Sequence, residues 1–174
     1  MLTQAVVDRV CSETGELYRA VFQGLPSRRI LYISEVLRLL LIGQAPGMNR
    51  KQVERWLSAR AVLEQFVDGK WMTVKSNPRS RAELAILCPF ADEIWEIRDV
   101  KPRPSLRILG SFAQKDFFIA LAPYERAQLG AKGSTEWSRA LQDYKAQWTR
   151  LFGQERPISG SFPNDYLSLA RSLD

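Results

Sequence analysis

The stretch IWEIRDVKPRPSLRILGSFAQKDFFIAL, residues 94–121, decides the fold. Residues 95–98 alternate between apolar and charged side chains, and two further runs of β-type residues follow at 106–113 and 117–121. A short polar gap, residues 114–116, separates the last two runs and predicts an antiparallel hairpin. Two shorter β-type runs lie earlier in the chain, at 71–75 and 84–87. Together with the stretch 94–121 they predict a sheet.

Helical periodicity is present on both sides of this stretch. Residues 27–42 carry an apolar stripe that begins after a candidate N-cap, Ser27, and a second stripe runs from Asn49 to Gly69. The two stripes predict an antiparallel helical hairpin. The other expected elements are a helix over 2–14, a strand over 18–22, a loop over 79–83, a helix over 134–152 that packs on the sheet, and an irregular tail from 155 that ends in a short helix.

This order of elements predicts an α+β fold in a single domain over residues 1–174. We expect a helical hairpin packed on a small, mainly antiparallel, twisted sheet, with an extra C-terminal helical segment. The chain has 174 residues, 45% of them hydrophobic, which is enough for the core of one domain.

Composition excludes several classes of function. The chain has no histidine, which removes the usual general base at neutral pH and the commonest metal ligand. Cys11 and Cys88 lack partners at metal-ligand spacing, so neither a metal nor another cofactor is expected. The longest apolar run, 36–42, is far shorter than the roughly 20 residues of a membrane span, and the N-terminus lacks the features of a secretory signal. A cytoplasmic protein is the expectation.

The charge distribution points to a polyanionic partner. The net charge is +6, and several cationic residues cluster over the predicted strands: Arg98, Lys101, Arg103, Arg107, Lys115 and Arg126. Period-2 alternation places Trp95 and Ile97 on a buried face and Glu96 with Arg98 on the opposite, open face. Guanidinium groups on such a face suit a phosphodiester chain. The alternative is a solvated strand face, in which Arg98 pairs with Glu96 or Asp92.

Three motifs resemble the RelE/ParE superfamily of toxins from type II toxin-antitoxin systems. Residues 94–98, IWEIR, resemble an aromatic-rich strand with an acidic-apolar-Arg ending, and 106–109, LRIL, resemble the next strand, which opens with an arginine. Residues 117–126, FFIALAPYER, are similar to the final strand and its basic exit. The resemblance covers about 17–126, as the core, and leaves a C-terminal extension over about 130–174. Both ends of the chain are longer than in typical members.

The resemblance implies a toxin-like, RNA-binding protein: a metal-independent mRNA endoribonuclease, or an inhibitor of DNA gyrase, neutralised by an antitoxin. In the RNase, Arg98, Arg107 and Arg126 would stabilise the phosphate, and Tyr124 would transfer protons or stack on a base. Glu96, Glu125 or a lysine are the other candidates for proton transfer. RNA-binding roles would fall to Lys101, Arg103 and Lys115.

Two alternatives remain open from the sequence. A protein of the same fold could bind DNA, RNA or another protein without catalysis, as a gyrase-directed toxin or a phage or mobile-element protein. The other alternative, and the third hypothesis in all, is a structural protein whose basic face contacts only solvent. The expected partners are mRNA, free or on the ribosome, and a cognate antitoxin, and a homodimer is compatible with the sequence.

Overall fold

An eight-stranded sheet runs through the residues that this computed structural model describes, 2–75 and 82–172. The strands, in chain order, are β1 (Leu17–Arg19), β2 (Ile30–Ser34), β3 (Met72–Lys75), β4 (Leu84–Ile86), β5 (Trp95–Asp99), β6 (Leu106–Gln114), β7 (Phe117–Glu125) and β8 (Ala170–Ser172). Their order across the sheet is β1-β2-β7-β6-β5-β4-β3-β8. Residues 79–81 of the predicted loop lie outside the described residues.

The α+β class is confirmed, whereas the expected small size of the sheet is wrong, and the sheet is mixed although most of its described pairings are antiparallel. The sheet is large, and among the described residues three of its pairings are parallel, β2 with β7, β3 with β4 and β3 with β8. The other four pairings are antiparallel, including the predicted hairpin of β6 and β7. The sheet is therefore mixed.

Helices cover both faces of the sheet. They are α1 (Gln4–Thr14), α2 (Glu35–Leu41), α3 (Arg50–Val67), α4 (Thr135–Phe152) and α5 (Pro163–Tyr166). The pair α2 and α3 packs on one face through residues such as Leu37 and Leu63. The opposite face is covered by α1 and α4, through residues such as Val7 and Trp148. The expectation that the long C-terminal helix packs on the sheet is confirmed.

The helix predicted over residues 27–42 is instead a strand followed by a short helix. Strand β2 lies between β1 and β7, and its residues alternate between the two cores: Leu31 and Ile33 face α2 and α3, while Tyr32 faces α1 and α4. A strand buried on both faces has a continuous apolar sequence that periodicity alone does not separate from a helix. The N-cap is Ser34, whose hydroxyl accepts a hydrogen bond from the Leu37 amide at 3.3 Å, and not Ser27.

The predicted boundaries of the two long helices agree with the structure to within a residue or two. Asn49 caps α3 in a reciprocal capping box with Gln52, in which both hydrogen bonds are 3.0 Å long. Ser134 caps α4, and Gly153 ends it with a positive φ of 61°. Inside the core, the Tyr144 hydroxyl donates to Ser111 Oγ at 2.7 Å and thereby fixes α4 to β6.

The tail does not end in a helix as expected, because the four-residue α5 is followed by β8 at the edge of the sheet. Arg29, which is almost fully buried, anchors this tail. Its guanidinium donates to the carbonyl of Ser168, to the carbonyls of Phe66 and Lys70 at 3.3 and 2.9 Å, and to Asp116 Oδ1 at 3.2 Å. One side chain thus joins the end of α3, the β6–β7 turn and the C-terminal segment.

Among the residues that the structure describes, we find no helix with both the length and the apolar character that crossing a membrane requires.

Candidate nucleic-acid interface

Three of the predicted site residues form a row across neighbouring strands. Arg98 on β5 is the direct partner of Arg107 on β6, and Arg107 is the direct partner of Tyr124 on β7. Directly paired residues project from the same face of a sheet, and adjacent strands lie about 4.8 Å apart. The row lies on the face that α1 and α4 cover, at the end of the sheet where β7 leaves it.

Glu96 holds the two arginines of this row. Its Oε1 atom lies 2.6 Å from Arg98 Nη2 and accepts a hydrogen bond from Arg98 Nε at 2.7 Å. Its Oε2 atom lies 3.2 Å from Arg107 Nε in an ion pair that lacks hydrogen-bond geometry. Glu96 is 2% exposed and Arg98 6% exposed. The expected open face for these two residues is therefore wrong, because a helical layer covers that face too.

Two further cations complete the cluster from the segment after β7. The Arg126 guanidinium lies 5.9 Å from the centre of the Trp137 ring and donates to the Gly130 carbonyl. Lys132 Nζ lies 5.6 Å from the same ring. We call Glu96 together with Arg98, Arg107, Arg126 and Lys132 the basic cluster.

Electrostatic coupling shows that the members of the basic cluster are mutually close. Burial lowers the pKa of Arg107 below its ordinary value, Glu96 opposes this shift, and Arg98 and Arg126 reinforce it. Desolvation likewise lowers the pKa of Lys132, again opposed by Glu96 and reinforced by the two arginines. The arginines stay charged at any working pH. The region is therefore rich in positive charge.

Tyr124 is half-buried at the end of the row and packs against the core under α4. Burial raises the pKa of its hydroxyl, and the carboxylate of Asp143 on α4 raises it further. At neutral pH the hydroxyl is consequently protonated, so it can donate a hydrogen bond or a proton but does not serve as a base.

Lys101 and Arg103 are exposed in the segment between β5 and β6 and border the basic cluster. With Arg98 they line a cleft of about 670 Å³ that reaches α3, and Arg103 also lines a neighbouring cleft of about 620 Å³ with Arg126. Lys115 lies elsewhere. It is in the β6–β7 turn, at the opposite end of β6 from Arg107, and eight residues of strand separate the two by about 26 Å. The structure does not bring Lys115 to the phosphate site expected from the sequence.

Sequence reasoning missed Lys132, a member of the basic cluster, and Phe90, which lines a cleft together with Lys132. Lys132 lies in the short loop Gly130–Gly133, which has no periodicity, and only its charge next to glycines marks it. Phe90 is in a single 3-10 turn and is 51% exposed. With Cys88, Trp137 and Ser138, both residues line a cleft of about 430 Å³.

The site offers phosphate binding and a proton donor. The described part of the chain contains no cluster of three or more cysteine or acidic residues that could hold a metal ion. Arginine and lysine side chains bind phosphate oxygens and stabilise the additional charge of a pentacovalent phosphorus. Glu96 is occupied by its ion pairs with Arg98 and Arg107.

Comparison with protein-family models, with curated proteins and with solved structures finds no match to this chain.

Proposed function

We propose that the chain binds RNA at the basic cluster and cleaves it as a metal-independent endoribonuclease of the RelE-like toxin type. The cross-strand row of Arg98, Arg107 and Tyr124 carries this proposal. Three residues that the family resemblance marks as catalytic lie side by side on adjacent strands, and the fourth, Arg126, follows directly after β7.

The charge balance supports a bound phosphate. Arg107, Arg126 and Lys132 lie near the carboxylate of Glu96, which is already paired with Arg98, and Asp99, another acid near Arg107, is paired with Arg55 at 2.6 Å. Partly buried cations need counter-charge, because their desolvation is costly. A phosphodiester group over Arg107, Arg126 and Lys132 supplies it.

In this mechanism the 2′-hydroxyl of the RNA attacks the adjacent phosphorus and loses its proton to water. Arg107, Arg126 and Lys132 stabilise the charged pentacovalent species. The bond to the 5′-oxygen then breaks, and that oxygen takes a proton from the Tyr124 hydroxyl. The products are a 2′,3′-cyclic phosphate and a free 5′-hydroxyl. Arg98 acts as a positioning residue, since it is buried against Glu96.

A second candidate, RNA binding without cleavage, is favoured by the state of the acids and bases at the site. Glu96 is engaged by two arginines, and Tyr124 is held in its protonated form. No group of the cluster is thus ready to accept the 2′-hydroxyl proton. A cognate antitoxin belongs to the proposal through the family resemblance alone, and a cytoplasmic location and a homodimer stay expectations from the sequence.

The test compares wild type with Arg107→Ala, Arg126→Ala and Lys132→Ala, and uses Lys115→Ala as a distant cation control. Binding and cleavage of a labelled mRNA are followed with purified protein, while growth and reporter-mRNA integrity are followed on induced expression in bacteria. Each cluster variant should weaken binding roughly tenfold and abolish cleavage, and the control should not. Circular dichroism establishes that each variant is folded, and Lys132→Ala is the safest in this respect because its side chain is exposed.

The outcomes separate the candidates. RNA cleavage that the cluster variants lose supports the endoribonuclease, and cluster-dependent binding without cleavage by the wild type supports the binding protein. Growth arrest with intact mRNA points to a gyrase-type target. If wild type and cluster variants bind RNA equally weakly, both RNA proposals are refuted and the basic cluster is a structural feature.

A further inference from the structure

Three members of the basic cluster, Arg98, Arg126 and Lys132, each line one of three neighbouring clefts. The 670 Å³ cleft shares Arg103 with the 620 Å³ cleft, which is also lined by Arg126. Arg126 and Lys132 both lie against the ring of Trp137, and Lys132 and Trp137 line the 430 Å³ cleft. The three clefts therefore follow one another around the end of the sheet, and we call them together the groove.

The groove passes from one face of the sheet to the other. Its first cleft is lined by Ser58 and Val62 of α3, whereas its last is lined by Trp137 and Leu141 of α4. These helices cover opposite faces of the sheet. A nucleic acid that occupied the whole groove would bend sharply around the sheet end, which a single strand does easily and a stiff double helix does not.

The last cleft differs from the others in its chemistry. Phe90, Cys88, Pro89 and Leu141 give it a largely apolar lining, with the Ser138 hydroxyl and the Lys132 ammonium at its border. An exposed aromatic ring beside a phosphate-binding cation is the arrangement that proteins use to stack an unpaired base. Its volume falls in the usual range of small-molecule sites.

From this continuity we infer that the groove binds single-stranded RNA, with one unstacked base in the Phe90 cleft. This inference rests on the proposed RNA binding and adds the substrate class and a base-binding subsite. Arg126 and Lys132 hold the phosphates next to that base, and Lys101 and Arg103 hold the strand on the other side. The cleft excludes paired bases, because a base within a duplex cannot leave its stack without losing its partner.

The test measures the anisotropy of fluorescein-labelled 2′-O-methyl RNA, which cannot be cleaved through its 2′-oxygen, at lengths of about 4, 8 and 16 nucleotides. Phe90→Ala should weaken binding of the longer single strands about tenfold, and Ser138→Trp, which fills the same cleft, should do likewise. The matched control is Phe162→Ala, since Phe162 is 70% exposed and lies outside the groove. A duplex of the same sequence should bind at least tenfold more weakly than the single strand.

Two results would overturn the inference while leaving the proposed function intact. In the first, RNA binding depends on Arg107, but the variants Phe90→Ala and Ser138→Trp bind RNA as tightly as the control Phe162→Ala. The other is equal affinity for single-stranded and duplex RNA. If neither single-stranded nor duplex RNA shows binding that depends on Arg107, the proposed function itself is refuted, and the inference with it.

Discussion

Glu96 Oε1 lies 2.6 Å from Arg98 Nη2, although both side chains are almost completely buried. Residues two apart on a strand project from the same face, so this pair is set by the strand itself. The other carboxylate oxygen reaches Arg107 on the neighbouring strand. One buried acid thus fixes two guanidinium groups at the centre of the basic cluster, and the positions of both depend on it.

Glu96→Gln should therefore destabilise the fold. The amide removes the negative charge between the buried Arg98 and the partly buried Arg107, whose guanidinium groups then repel each other, at a cost of about 3–5 kcal/mol. The free energy of unfolding in urea measures this loss. Glu54→Gln, which removes a surface partner of Arg50, is the control and should leave the midpoint unchanged. An unchanged midpoint for Glu96→Gln would mean that the ion pairs contribute nothing.

Tyr124→Phe tests proton donation separately from binding. The substitution removes only the hydroxyl, and the ring keeps its packing under α4. If Tyr124 protonates the leaving oxygen, cleavage should slow about a hundredfold or more while the affinity for RNA stays within about twofold. Single-turnover cleavage and anisotropy on the same RNA measure the two effects. An equal loss of affinity and cleavage would instead assign Tyr124 to stacking or packing.

Lys132 should give RNA binding a distinctive dependence on pH. Its pKa is lowered by desolvation and by Arg98 and Arg126, so it loses its charge below the ordinary lysine value of about 10.4. Phosphate contact requires the charged form, and affinity should accordingly fall as pH rises through that lowered pKa. Lys132→Arg remains charged and should keep its affinity. Anisotropy of 2′-O-methyl RNA between about pH 7 and 10 provides the comparison.

The lowered pKa of Lys132 also makes the free energy of unfolding depend on pH. Because the folded state disfavours the charged form of Lys132, this residue lowers the free energy of unfolding at pH values below its pKa in the folded state. The loss disappears as pH rises from that pKa towards the pKa of Lys132 in the unfolded chain. Lys115→Arg is the control for both measurements. Identical pH profiles for wild type and Lys132→Arg would show that Lys132 does not contact the RNA.

Arg29→Met should loosen the C-terminal segment. The substitution removes the buried ion-pair partner of Asp116 and a hydrogen-bond donor to the carbonyls of Phe66, Lys70 and Ser168, which costs about 3–5 kcal/mol. Urea unfolding measures the loss, and hydrogen exchange should show that residues 166–172 open first. Arg28→Met changes an exposed neighbour and should have little effect. Unaltered exchange in the tail would contradict the anchoring role of Arg29.

Local patterns predicted the parts of the fold that local physics determines. The hairpin of β6 and β7 follows from two β-type runs and a short polar gap, and α3 and α4 follow from their apolar stripes and caps. Strand β2 could not be recognised in this way, because its burial on both faces depends on β7, which is distant in the sequence. Strand β8, Ala170–Ser172, has only three residues and no alternation, and it exists through its pairing with β3.

The site was predictable to a similar extent. Alternation placed Glu96 and Arg98 on one face of their strand, but the register that aligns Arg98, Arg107 and Tyr124 includes shifts between β6 and β7 that alternation does not reveal. The burial of Glu96 was not predictable, since a charged residue on the second face of a strand normally faces water. Lys132 belongs to a loop, and a loop sequence has no periodicity from which the contacts of its side chains could be predicted.

The pairing of β2 with β7 has a consequence for how the chain folds. Ser34 and Leu121 are joined by a hydrogen bond across 87 residues of sequence, and parallel pairings over such distances make folding slow, on the scale of milliseconds to seconds. During synthesis β2 can pair with β1 at once, but its second edge must wait for β7. A chain that stops before Tyr124 lacks the end of the row of Arg98, Arg107 and Tyr124. The complete row is thus confined to molecules whose synthesis has passed β7.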